Sequence, residues 1–140
     1  MRLALSLAAS LALATAAHAG QPITTQHAGI EAPLHGTFEG ELAQGTPAVL
    51  IIPGSGPTDR DGNGPLGLSP DSYKLLAEAL AQKGNASVRV DKRGMFASAA
   101  AIPDPNDVTV ADYVADIESW SATLSERTGG QCVWLLGHSE

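Results

Sequence analysis

Cys132-Val133-Trp134-Leu135-Leu136-Gly137-His138-Ser139-Glu140 decides how this chain is read. A short apolar run containing a β-branched and an aromatic residue predicts a buried strand, and it halts at a glycine followed by a serine. Strand, sharp turn and serine together make the geometry of a nucleophile elbow. The turn holds the hydroxyl clear of its own backbone, so that a base reaches it from one side and a carbonyl carbon from the other. Gly137-His138-Ser139-Glu140 fills four of the five positions of G-x-S-x-G, and the fifth lies beyond the sequence. Glycine and serine are also common where a strand simply ends in a turn, so the neighbouring segments must decide.

Working back toward the amino terminus, Thr109 with Asp112 three residues on forms a capping-box pattern. Val110, Tyr113, Val114, Ile117, Trp120, Ser121 and Leu124 come after it at helical spacing and predict an inward face, which Gly129-Gly130 ends. Ala86-Ser87-Val88-Arg89-Val90 predicts a strand that runs into the polar turn Asp91-Lys92-Arg93-Gly94. Before it, Tyr73, Leu76, Ala77 and Leu80 form an apolar stripe on a helix expected to start with Ser69 as N-cap and Pro70 at its first position, and to close at Gly84. Pro47-Ala48-Val49-Leu50-Ile51-Ile52-Pro53 is a continuous apolar run, as in parallel sheets covered on both faces. It opens into a loop dense in glycine, proline and Asx residues from Gly54 to Pro65. Upstream, Thr37 to Leu42 alternates weakly and suggests an edge strand exposing its charges, within a leading strand or hairpin.

The order strand, helix, strand, helix, strand after Pro47 implies an α/β fold with parallel strands and right-handed crossovers. Ligands in such sheets bind beyond the carboxyl ends of the strands. Gly54-Ser55-Gly56, Asp91-Lys92-Arg93 and Ser139 all fall at such ends, which raises the serine above an ordinary turn residue.

Composition narrows the function classes. With 140 residues, 44% of them hydrophobic, the chain can bury one modest core. A formal net charge of −7, with only 8 Lys and Arg, gives a nucleic-acid surface no electrostatic support. Cys132 is the single cysteine; no intrachain disulfide is possible, and its place in the apolar run suggests a buried small hydrophobe. Arg2, the Leu/Ala/Ser run from Leu3 to Ala14 and the Ala17-His18-Ala19 site predict a signal peptide over residues 1–19, cleaved before Gly20. The run falls short of the roughly 20 residues a membrane-spanning helix needs, so no stable membrane anchor is expected. The mature domain, residues 20–140, would carry seven basic residues against 15 acidic ones, a formal charge of −8, and be periplasmic or secreted.

Gly54-Ser55-Gly56-Pro57-Thr58-Asp59-Arg60-Asp61-Gly62-Asn63, Asp91-Lys92-Arg93-Gly94 and Gly137-His138-Ser139, each after a predicted strand, resemble the amino-terminal half of an α/β-hydrolase. The likeness runs from about Leu34 to Glu140 and is to exported serine esterase-like members with a GSGPxDRDGN loop. It implies a mostly parallel sheet with flanking helices, here truncated at the nucleophile elbow, and a Ser, acid, His triad in that order. Ser139 would be the catalytic nucleophile. The oxyanion would take backbone N–H bonds from Glu140 and from Ser55, with Gly56 as the alternative to Ser55. The implied substrate is a small-molecule carboxylic ester, hydrolysed through an acyl-serine without a cofactor or metal. Asp59, Arg60 and Asp61 are expected to brace their loop, and Asp91 and Arg93 match the D-x-R-G turn as structural residues. Phe96 and Ala97 depart from the G-x-S that often comes after that turn. His138 is read as a packing residue beside the serine. The triad acid and histidine would come after the elbow, so this chain alone is expected to be a fragment that does not complete a triad. His27 and His35 precede the first core strand and are expected to be solvated.

Three other readings compete. Asp59-x-Asp61-x-Asn63-Gly64 opens like a calcium loop, but its twelfth position is Pro70 instead of a bidentate glutamate. Gly54-x-Gly56 with Asp91 after the next strand resembles dinucleotide binding, but Asp59 stands at the third glycine position. A non-catalytic α/β fragment or pseudoenzyme is the third.

Overall fold

The computed structural model describes residues 20–139. The expected signal peptide, residues 1–19, and Glu140 lie outside the described residues.

Among the described residues, five strands make one sheet in the order β1-β2-β4-β3-β5. β1 (Gln21–Thr25) and β2 (Leu34–Glu39) form the leading antiparallel hairpin, with Ile23 opposite Gly36. β3 (Ala48–Ile52) is the first core strand, and α1 (Ser72–Gln82) carries the chain to β4 (Ala86–Val90). α2 (Val110–Arg127) then carries it to β5 (Val133–Gly137). β3 lies parallel to both β4 and β5, in a register that sets Leu50 beside Val88 and Leu135, while β2 runs antiparallel to β4.

Alternation along the central strands sorts the two helices onto opposite faces. Leu50, Val88 and Val90 pack in one cluster with Trp120 and Leu124 of α2. Ile51 packs on the other face with Tyr73 and Ala77 of α1, with Leu76 and Leu80 alongside. β3 is therefore covered on both sides, which is why it reads as a continuous apolar run. α2 starts as its pattern predicts: the Thr109 hydroxyl accepts from the Asp112 amide, and the Asp112 carboxylate accepts from the Thr109 amide at 2.9 Å.

Several expectations are corrected. α1 begins at Ser72, two residues beyond Pro70, because Asn63 takes Asp71 into the preceding loop. The Asn63 side-chain Nδ2 donates to the Asp71 carboxylate at 2.8 Å and its Oδ1 accepts from the Asp71 backbone amide at 3.0 Å, holding Asp71 at φ 50°. β2 is an interior strand between β1 and β4, and Glu39 is buried against Arg89 instead of exposed. β5 is extended, as expected, but not buried: Trp134 is 67% and Leu135 56% exposed, because β5 pairs on one side only and ends the sheet. Cys132, just before that edge strand, is exposed for the same reason. On α2, Val110 and Val114 are exposed although their spacing places them on the inward face; both line an open hollow beside the sheet. No helix among the described residues is long and apolar enough to cross a membrane.

Candidate active site at the carboxyl edge of the sheet

The carboxyl ends of β3, β4 and β5 bring together the loop after Ile52, the turn after Val90 and the turn after Gly137. The β3 and β5 ladder continues one residue past the strands, the His138 amide donating to the Ile52 carbonyl at 3.2 Å. The chain then turns so sharply that Ser139 takes φ 60°, the left-handed region that costs a residue with a side chain about 1–2 kcal/mol. Ser139 is exposed, and no described residue hydrogen-bonds its hydroxyl.

Gly54 is the point of contact between the two loops. A Cβ built on it would lie 2.6 Å from the His138 carbonyl oxygen and 3.2 Å from the Ser139 Cβ. Glycine is needed here because the backbone of one loop rests directly on the other, not because of an unusual φ. Gly56, two residues on, does hold a positive φ of 85° and faces open space. Among the described residues nothing accepts a hydrogen bond from the Ser55 or Gly56 amide.

The turn after β4 grips this loop at both ends. Lys92, buried, donates from Nζ to the Gly54 carbonyl at 2.6 Å, and its ammonium lies 5.9 Å from the Tyr113 ring centroid. Asp91, also buried, accepts from the Arg60 amide at 2.9 Å, from the Arg60 guanidinium at 2.6 Å and from the Ala97 amide at 3.2 Å. Between these anchors Asp59 closes an Asx turn, accepting from the Asp61 and Asn63 amides at 2.9 and 2.8 Å. Asp61 accepts from Arg89 at 2.6 Å. Burial works against the Arg89 charge, but hydrogen bonds to Asp61 and Glu39 outweigh it and raise its pKa. Asp59, Arg60 and Asp61 thus brace the loop, as expected. Their side chains are engaged with the protein itself, and among the described residues no group of three or more His, Cys, Asp or Glu is arranged to hold a metal. The dinucleotide reading fails on geometry as well, since fifteen described residues, 57–71, separate Gly56 from the start of α1.

The neighbouring turn carries the departure from G-x-S at Phe96 and Ala97. Phe96 sits at φ 46°, the conformation glycine adopts without steric cost, and a 3-10 turn runs from Phe96 to Ala101. Ser98 is fully buried there; its hydroxyl donates to the Asp91 carbonyl at 3.1 Å and accepts from the His35 amide at 2.9 Å. Ser98 thereby ties the loop to β2 and to Asp91.

Two histidines have specific partners. The His138 ring shares a 2.6 Å hydrogen bond with the Tyr73 hydroxyl of α1, in edge-on ring contact, so it packs beside the serine as its position in the turn suggests. His27 is not merely solvated: its Nε2 lies 2.8 Å from Asp116. Asp116 also takes Arg93 at 2.6 Å, while Asp112 holds the other arm of Arg93 at 2.7 Å. The hydrogen bond that Arg93 donates to Asp116 is the largest influence on Arg93 and raises its pKa, against the cost of burial. Arg93 is thereby a structural bolt between the β4 turn and α2.

A hollow of about 320 Å³ opens below this edge, lined by Leu50, Ile52, Lys92, Tyr113, Ile117 and Trp120. A second one, about 480 Å³, lies around Phe38, Leu42 and Arg127, toward the opposite end of the sheet, and has no link to Ser139.

The Ser139 turn and the Ser55-Gly56 loop, both expected from the sequence at strand ends, lie side by side, and Tyr73 and Lys92, which the sequence does not single out, adjoin them. Tyr73 reads as one more member of the helical stripe. Lys92 reads as one charge in a polar turn; its place directly after an apolar strand is the available signal. Glu140 lies outside the described residues.

No protein-family model matches the sequence, and no curated protein matches it. Among solved structures, the chain is similar to XC6422 from Xanthomonas campestris, described as a member of the a/b serine hydrolases without lid. The TM-score is 0.55 at 20% identity, over 87% of this chain and 51% of that one. The chain therefore has an α/β-hydrolase-like fold, with a mixed, mostly parallel sheet and flanking helices, and spans about half the length of that neighbour.

Proposed function

We propose that this fold serves a serine hydrolase acting on small-molecule carboxylic esters, of the exported esterase-like kind with a GSGPxDRDGN loop, and that Ser139 is its nucleophile. The observation that carries the reading is the strained Ser139, at φ 60°, resting against Gly54 of a loop whose Ser55 and Gly56 amides have no acceptor among the described residues. Strain of that kind persists only where surrounding structure enforces it, and it tends to mark working residues.

On this reading the Ser139 oxygen attacks the ester carbonyl carbon while its proton passes to a histidine base. The negative charge on the former carbonyl oxygen is held by the amide of Ser55, or of Gly56, and by that of Glu140. Collapse of the tetrahedral species expels the alcohol, which takes the proton from the histidine. Water then repeats the sequence on the acyl-serine and releases the acid. His27 and His138 are engaged by Asp116 and Tyr73, so the base is assigned to neither.

Labelling of the intact protein with a fluorophosphonate tests this directly. Covalent modification at Ser139, lost in Ser139→Ala together with p-nitrophenyl ester turnover, is the expected result. A protein in which a histidine base reaches Ser139, yet that neither labels nor turns over the ester, would overturn the assignment. Export is proposed with it: mass spectrometry of the secreted or periplasmic product should find Gly20 at the amino terminus.

A further inference from the structure

Lys92 stands apart from the other loop contacts because of which peptide group it holds. Its Nζ donates at 2.6 Å to the carbonyl of Gly54, and both atoms are buried. That carbonyl belongs to the same planar unit as the Ser55 N–H. In a trans peptide the two point in opposite directions, and the described chain has no cis peptide. A group that fixes the Gly54 oxygen toward the β4 turn therefore fixes the Ser55 hydrogen away from it. Gly54 could otherwise rotate this peptide easily, having no side chain to restrict it.

We infer that Lys92 is a positioning residue that locks the Gly54–Ser55 peptide in the orientation in which the Ser55 N–H faces the substrate oxygen. The inference rests on the hydrolase reading above and chooses Ser55 over Gly56 as the loop's donor. The cation has a second effect: by drawing electron density toward the carbonyl oxygen it strengthens the N–H at the other end of the unit as a donor. Its ammonium lies 5.9 Å from the Tyr113 ring centroid, and the adjacent Asp91 secures the far end of the loop through Arg60. Consecutive residues of one turn thus set both the position and the direction of the loop.

The test compares wild type, Lys92→Met and Lys92→Arg in the intact, 15N-labelled protein. Lys92→Met keeps the chain length and removes the donor. It should shift or exchange-broaden the Ser55 amide resonance and lower kcat for a p-nitrophenyl ester about 10²-fold, with KM within about twofold, as when one oxyanion donor is lost. Lys92→Arg, still a donor, should recover most of the rate and the wild-type Ser55 resonance. A Ser55 resonance unmoved in Lys92→Met overturns the inference, whatever happens to the rate. A Ser55 resonance that moves, in a wild type that neither hydrolyses esters nor reacts with fluorophosphonate, supports the peptide lock and overturns the hydrolase reading. Should Lys92→Met fail to fold, the through-hydrogen-bond coupling between Lys92 Nζ and the Gly54 carbonyl carbon in wild type decides, and its absence overturns the lock.

Discussion

Gly54→Ala probes the contact on which the site depends. The added Cβ would meet the His138 carbonyl oxygen at 2.6 Å, about 0.8 Å inside the 3.4 Å where ordinary contact begins, and the Ser139 Cβ at 3.2 Å. Neither neighbour is the free end of a flexible side chain. The His138 backbone is tied to Ile52 at 3.2 Å and its ring to Tyr73 at 2.6 Å, while Lys92 holds Gly54 from behind. The strain is therefore shared between a stability loss of about 1–3 kcal/mol, typical of an added methyl in a packed site, and a displaced elbow. A displacement approaching 1 Å costs about 10²-fold in rate where reacting atoms must be aligned. The assay pairs urea unfolding with the rate of fluorophosphonate labelling at Ser139. Gly64→Ala is the control, since a Cβ there meets nothing within 4 Å and the backbone is ordinary; it should stay within about 0.5 kcal/mol of wild type with unchanged labelling. Wild-type stability and labelling in Gly54→Ala would refute the close approach of the two loops.

The loop braces and the α2 face give further expectations. Asp91→Ala removes the acceptor for Arg60 and the Ala97 amide and should lower the urea-derived stability by about 3 kcal/mol; a loss under about 1 kcal/mol would show that the loop braces itself without Asp91. Leu124→Ala, at a fully buried site of the α2 face, should cost about 2–5 kcal/mol in the same measurement, and a neutral result would mean α2 is not packed on the sheet. Thr109→Ala removes the cap of α2 and should cost about 1 kcal/mol. The Asp112 carboxyl is held below its ordinary value of 3.8, first by the Thr109 hydroxyl and amide and then by Arg93. Its contribution is complete above that ordinary value and fades as pH falls through the lowered folded one. Asp112→Asn should therefore flatten the acid side of the stability profile, and a variant that loses stability below about pH 4 as steeply as wild type would contradict this.

Much of the architecture is legible in residue order because its causes are local. The Thr109 and Asp112 box starts α2 through side chains three residues apart, and the unbroken run from Ala48 to Ile52 announces a strand covered on both faces. The position of Ser139 is equally local, since an apolar strand stopped by glycine presents the next residues of the chain at its end. The features that residue order leaves open depend on partners distant in the chain. Asp71, not Ser69, stands at the N-cap position of α1, its side chain taken up by Asn63 in the loop, and Glu39 is buried because Arg89 on the adjacent strand compensates its charge. Burial of β5 is not legible, because hydrophobicity reports that a strand prefers a covered face, whereas its place at the sheet edge decides whether it has one.

The sequence by itself determined the strand and helix periods, the parallel order and the serine at a strand end, since each arises from spacing within a few residues. Only the tertiary structure decided that Gly54 touches the elbow, that Lys92 aims the Gly54 carbonyl and that Tyr73 holds His138. Those pairs are 38 to 85 residues apart, and contacts of that reach exist only after the sheet has brought its carboxyl edge together.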